Sequence, residues 1–192
     1  MIEDAEEAVR RFVSALHAAE VPYMITGSFA SGYYAQGRST QDVDFVIMPT
    51  PEQLSGLLAQ FQSTEFYVDA DTAFDALRNR AQFNAIDQQT FYKADFMIRK
   101  SRPFSEAEFD RRVPAVYAGV PVMIATAEDV VVSKLEWAKL GGSARQIEDV
   151  ASILQVRAAR IDRPYVEHWV EQLGLQAQWE AAGRMAGITA EG

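Results

Sequence analysis

The chain has 192 residues and not one cysteine. Disulfides and thiolate-bound metals are thereby excluded. Histidine is almost as scarce: only His17 and His168 occur, far apart in sequence, which argues against a zinc centre built on imidazoles. Any metal ion must then be held by oxygen. No apolar run approaches the ~18 residues that a membrane span needs. The opening MIEDAEEAVRRF is acidic and helical in pattern rather than signal-like, so the expectation is a cytoplasmic protein with no membrane partner. Basic residues are in the minority, 18 against 27 acidic, for a formal net charge of −9. That balance opposes non-specific binding to nucleic acid, which would require a local basic patch.

What is present is an ordinary globular composition, 48% hydrophobic and 23% charged. A chain of this length forms one domain, or one domain with a small appendage, and buries roughly 70% of its unfolded surface. Residues 3–19 carry an apolar stripe at Val9, Phe12, Val13 and Leu16 and predict a helix. VPYMIT at 21–26 predicts a short buried strand stopped by Gly27, and residues 28–36 a helix ended by Gly37. Asp42 to Met48 predicts a second strand. TPEQ at 50–53 supplies an N-cap, a proline at the first helical position and a capping-box glutamine for a helix to about Phe61. A strand over 66–68, a helix over 71–80 and a hairpin over 81–98 follow. SEAE at 105–108 opens a short helix, and VPAVYAGVPVMIA forms a second hairpin turning at Gly119.

Beyond residue 125 the pattern becomes helical throughout. TAED at 126–129 caps a helix to about Leu140, Gly141-Gly142 stops it, and SARQ at 143–146 caps the next to about Val156. Asp162 and Pro164 open a third helix, and Gly174 separates it from a fourth over 175–187. The expected architecture is α/β in the α+β sense: a mixed sheet flanked by helices over residues 1–125, followed by a helical region over 126–192 packed on it. No repeat or low-complexity linker is seen.

The chemistry concentrates in GSFASGYYAQGRSTQDVDFVI, Gly27 to Ile47. Residues two apart on a strand share a face, so Asp42 and Asp44 project together while Val43, Phe45 and Ile47 face the other way. Two carboxylates on one face suit a hard divalent ion such as Mg²⁺, with Mn²⁺ as a substitute, whose remaining ligands are phosphate oxygens and water. Asp95, in KADFMI, carries the same inside-out pattern. Should its strand pair beside that of Asp42, three carboxylates converge and suit a pair of ions clamping an in-line displacement at phosphorus. Gly27 lets backbone approach a phosphate, the helix start after it offers free N–H donors, and Ser28 adds a hydroxyl. Arg38 can reach a triphosphate.

The set Gly27-Ser28, Arg38, Asp42-Val43-Asp44 and Asp95 resembles the signature of the nucleotidyltransferase superfamily that includes DNA polymerase β and the aminoglycoside nucleotidyltransferases. SKLEWAKLGGSARQIEDVASIL is similar to the fourth motif of the abortive-infection nucleotidyltransferase toxins and their bacterial relatives. These motifs span Gly27 to Leu154. The resemblance implies a magnesium-dependent enzyme that moves a nucleoside monophosphate from ATP or another NTP to a hydroxyl acceptor and releases pyrophosphate. It implies Asp42, Asp44 and Asp95 as metal ligands and catalytic residues, with Asp95 beside the acceptor hydroxyl. It implies Gly27 and Ser28 as the phosphate-binding turn, Lys134 as a triphosphate contact and Asp149 as the residue that orients it. The tail after Leu154 shows no substrate motif.

Each residue also admits a plainer role. Asp42 and Asp44 could be solvated carboxylates at a strand end, Asp95 an edge-strand residue, Ser28 an ordinary N-cap and Arg38 a loop cation. Lys134, amid Val130, Val131 and Leu135, fits either an inward ammonium or a side chain that snorkels to solvent. Asp149 could form an ion pair with Lys134 or Arg145. Tyr33, Tyr34, Trp137 and Trp169 are expected in the core. Two further functional readings are a toxin- or resistance-type effector with an antitoxin partner, and a nucleotide-binding module without turnover.

Overall fold

The computed structural model describes residues 2–35, 40–117 and 119–188. The chain divides into two compact units, Met1–Thr26 with Ser39–Ile124, and Gly27–Arg38 with Ala125–Gly192.

The first unit is a seven-stranded mixed sheet with helices. Its strands are β1 (Tyr23–Thr26), β2 (Asp42–Ile47), β3 (Phe66–Val68), β4 (Gln82–Asp87), β5 (Lys93–Ile98), β6 (Val113–Tyr117) and β7 (Val120–Ile124), in the order β3-β4-β5-β2-β1-β7-β6. The β2–β5 and β1–β7 pairs are parallel, and the others antiparallel. Alternation fixes what each face carries. Val43, Phe45 and Ile47 of β2 and Ala94, Phe96 and Ile98 of β5 are buried on one face. There α1 (Ile2–Ala18) drives in Phe12, fully buried, with its ring 6.4 Å from Phe45 and 6.2 Å from Phe96. Phe61 and Phe66 complete the cluster around Phe12 at 6.2 and 5.7 Å. Arg11, next along α1, neutralises the fully buried Asp87 through a 2.8 Å bond from its Nε.

The helices α3 (Pro51–Gln60), α4 (Ala70–Asn79) and α5 (Pro103–Asp110) belong to the same unit. The capping box of α3 forms as its sequence predicts, Thr50 accepting from the Gln53 amide and the Gln53 side chain accepting from the Thr50 amide. The expected start of the short helix at Ser105 is corrected: α5 begins at Pro103, whose ring already sets a helical φ at the first position.

The second unit is helical. It contains α2 (Gly27–Tyr34), α6 (Ala127–Gly141), α7 (Ala144–Arg157), a 3₁₀ turn (Ala158–Arg160), α8 (Arg163–Leu173) and α9 (Gln176–Ala186). Gly142 ends α6 at φ 59°, a left-handed conformation that costs glycine no Cβ clash. Ser143 precedes α7 as expected, but makes no side-chain cap. Tyr34 is buried, and its hydroxyl donates to the Ala125 carbonyl at 2.9 Å. Tyr33 and Trp137 depart from the core expectation: they are 41% and 54% exposed. Each shares a helix with a buried stripe, Phe29, Ala30 and Tyr34 on α2, and Val130, Val131, Lys134, Leu135 and Ala138 on α6, from whose faces they turn away. Among the described residues no helix is long and apolar enough to cross a membrane.

Candidate active site

The sequence leaves open whether the Asp95 strand lies beside the Asp42 strand. It does: β2 and β5 are parallel neighbours, with Asp42 opposite Lys93 and Asp44 opposite Asp95. Strands of a sheet run roughly 4.8 Å apart, and partners in register point to the same face. Asp42, Asp44, Lys93 and Asp95 therefore share the face turned away from the phenylalanine cluster. On either side of them, Thr26 of β1 pairs with Asp44 and Asn84 of β4 pairs with Asp95.

Like charges on adjacent strands repel. Lys93 offsets that repulsion, with its Nζ 2.9 Å from Asp95 Oδ2 and 3.4 Å from Asp42 Oδ1. The two carboxylates are thus separated by no more than those two contacts combined. The hydrogen bond to Asp95 holds the Lys93 ammonium above the usual lysine range, with burial pulling the other way. The Asp95 side chain is 20% exposed and that of Asp42 is 53% exposed, so the cluster grades from half-buried to open.

Hard carboxylate oxygens on one face, already gathered about one positive charge, are a donor set that fits a divalent ion. Among the described residues no three acidic or histidine side chains are grouped so as to hold a metal ion. Lys93 is the residue that sequence reasoning missed. Its position two before Asp95, on the same face of a strand, was the available signal.

A polar cavity of about 300 Å³, lined by Tyr67, Asp69, Thr72, Gln82, Phe83 and Asn84, lies in the same unit. Asn84 is both a wall of that cavity and the strand partner of Asp95. Asp69 caps α4 by accepting from the Thr72 amide at 2.7 Å. That bond and a second from Thr72 keep its carboxyl below the usual range.

The other sequence-predicted residues fall in the helical unit. Gly27, joined to Thr26, opens α2 at φ 62°, where any Cβ would be strained. Ser28 follows it in the first turn, and its carbonyl accepts from the Ser31 hydroxyl at 3.1 Å. Lys134 and Asp149 meet each other: Lys134 Nζ is 2.7 Å from Asp149 Oδ2 and donates to Gln146 Oε1 at 3.1 Å. The Lys134 side chain is only 4% exposed, which settles against snorkelling. Arg38 lies outside the described residues.

No family model matches the sequence, and no curated protein does. Solved structures do. The antibiotic-resistance factor ANT(2'')-Ia, in complex with adenylyl-2''-tobramycin, is 16% identical with a TM-score of 0.59, over 90% of this chain and 98% of that one. An antigenic nucleotidyltransferase-like protein from Paracoccidioides brasiliensis is also 16% identical at 0.59, over 98% and 95% of the two chains. The lincosamide antibiotic adenylyltransferase LnuA, with lincomycin bound, is 8% identical at 0.51, over 78% and 96%. The chain shares its fold with these nucleotidyltransferase and nucleotidyltransferase-like proteins.

Proposed function

We propose that the protein is a cytoplasmic, metal-dependent nucleotidyltransferase that moves a nucleoside monophosphate from an NTP to a hydroxyl group of a small-molecule acceptor, releasing pyrophosphate. The observation that carries this reading is the register of β2 and β5, which aligns Asp44 with Asp95 on one face of a sheet of nucleotidyltransferase fold. Asp42, Asp44 and Asp95 would hold Mg²⁺. When bound, the ion supplies charge neutralisation at the transferring phosphoryl group and lowers the pKa of the attacking hydroxyl.

The chain's own residues position the reactants. Asp95, beside Asn84 and its cavity, orients the acceptor hydroxyl. Gly27 and Ser28 offer backbone and hydroxyl donors to phosphate at the start of α2. Binding in this way raises the rate chiefly by holding nucleophile and phosphorus in line. A small acceptor is supported by three features. The cavity walled in part by Asn84, the strand partner of Asp95, is lined by a phenol, a hydroxyl, two carboxamides, a carboxylate and Phe83. The net charge of −9 disfavours a nucleic-acid acceptor. Two proteins of the same fold are named for small antibiotics, one bound to adenylyl-2''-tobramycin and one to lincomycin.

The test is calorimetric titration with ATP, GTP, CTP and UTP in the presence of Mg²⁺, followed by pyrophosphate release across hydroxylated acceptors. Wild type should bind at least one NTP, and Asp44→Asn should lose metal-dependent binding while keeping its circular dichroism spectrum. Folded wild-type protein that takes up none of the four nucleotides would refute the proposal.

A further inference from the structure

We propose that Lys93 is the built-in counter-ion of the carboxylate cluster: its ammonium occupies the cation position in the metal-free protein and sets how tightly a divalent ion is held. The inference rests on the reading of Asp42, Asp44 and Asp95 as metal ligands.

Three observations carry it. The ammonium bridges carboxylates from two different strands, Asp42 of β2 at 3.4 Å and Asp95 of β5 at 2.9 Å, so it sits where their charges add. The position is imposed by backbone, because Lys93 faces Asp42 in the parallel register and lies two residues before Asp95 on its own strand. The Lys93 side chain is 35% exposed, so its flexible four-carbon stem has solvent to swing into.

An ammonium and a divalent ion cannot share the same carboxylate oxygens at contact distance, since the two cations repel strongly at a few ångströms. A metal ion that enters must therefore expel Lys93 and forfeit its two ion pairs. The metal alone is then held weakly. A metal ion that arrives with a polyanion is held better, because the expelled ammonium finds a new negative partner. Cation and nucleotide binding are coupled through one side chain, and the acidic cluster is protected from unproductive metal loading.

Mn²⁺ titration of the full chain, followed by the loss of free-ion electron paramagnetic resonance signal, tests the idea without any turnover. Lys93→Met keeps the stem and removes the charge. It should bind Mn²⁺ at least tenfold more tightly than wild type in the absence of nucleotide, whereas Lys93→Arg should bind no more tightly than wild type. In chelator Lys93→Met should melt below wild type, and Mn²⁺ should close that gap. If Lys93→Met does not fold by circular dichroism, Lys93→Gln takes its place under the same criterion. Wild type that binds Mn²⁺ with a charge-free variant that binds no better overturns the role of Lys93 and leaves the metal site standing. Absence of Mn²⁺ binding in every variant, with and without NTP, overturns both.

Discussion

Replacing Lys134 by methionine separates a structural role from a substrate role for the pair that resemblance assigned to the triphosphate. The ammonium touches Asp149 at 2.7 Å and Gln146 at 3.1 Å, with 4% of the Lys134 side chain and 13% of the Asp149 side chain exposed. Removing one partner of such a buried pair costs about 3–5 kcal/mol, because the remaining charge loses its counter-ion where water cannot replace it. For a protein of this size each kcal/mol lowers the melting temperature by roughly 2–4 °C, so Lys134→Met should melt roughly 6–20 °C below wild type without any ligand. The double variant Lys134→Met with Asp149→Leu removes both charges and should recover most of that loss. Urea denaturation followed by circular dichroism measures all three proteins. A Lys134→Met midpoint indistinguishable from wild type, together with weakened NTP binding, would refute the structural account and favour a direct triphosphate contact.

Two further perturbations probe the two units separately. Burial pushes the Tyr34 hydroxyl up to about 12, above its ordinary value of 10.0. A raised folded-state value means that the stability tied to the neutral phenol is complete below pH 10 and is lost as pH climbs to about 12. The advantage of wild type over Tyr34→Phe, about 1 kcal/mol from the bond to Ala125, should therefore shrink across that window; a constant difference in urea midpoint from pH 8 to 12 would refute it. Phe12→Ala removes the ring at the centre of the cluster with Phe45, Phe61, Phe66 and Phe96. It should cost about 3–5 kcal/mol in chemical denaturation, and Phe12→Leu clearly less; equal losses would mean that the cluster does not pack as described.

Local rules made most of the elements legible. Thr50, Pro51 and Gln53 name a helix start by themselves, because a capping box uses only neighbouring backbone groups. The alternation in DVDFVI and KADFMI likewise assigns a core face and a polar face without knowledge of the partner strand. Strand order was not legible. That β5 inserts between β2 and β4, and that β2 pairs with β5 in parallel, depends on pairing across some 50 residues of chain, to which periodicity is blind. Lys93 escaped notice for a related reason. As one more polar residue on an outward face it looks solvated, and only the register shows that two carboxylates meet it. Tyr33 and Trp137 erred in the opposite direction, since aromatic character predicts burial on average and not which side of a helix it falls on.

The register also explains why a charged cluster can persist at the middle of a sheet. β2 and β5 are the central pair of the order β4-β5-β2-β1, so their inter-strand hydrogen bonds are formed on both sides and their core faces are filled by Phe45 and Phe96, stacked 5.3 Å apart. That packing fixes the backbone whatever the opposite face carries. Asp44 and Asp95 are consequently held side by side by main chain and not by their mutual energetics, which are repulsive. Asparagine at Asp44 should relieve that repulsion and leave the fold intact, whereas at Asp95 the same change also forfeits the 2.9 Å ion pair with Lys93 and should lower stability. A sheet under selection for stability alone has no reason to align two aspartates in this way. On the proposal of a metal site such an alignment would have a use, and Lys93, 2.9 Å from Asp95 and 3.4 Å from Asp42, would be the counter-ion that a divalent ion displaces.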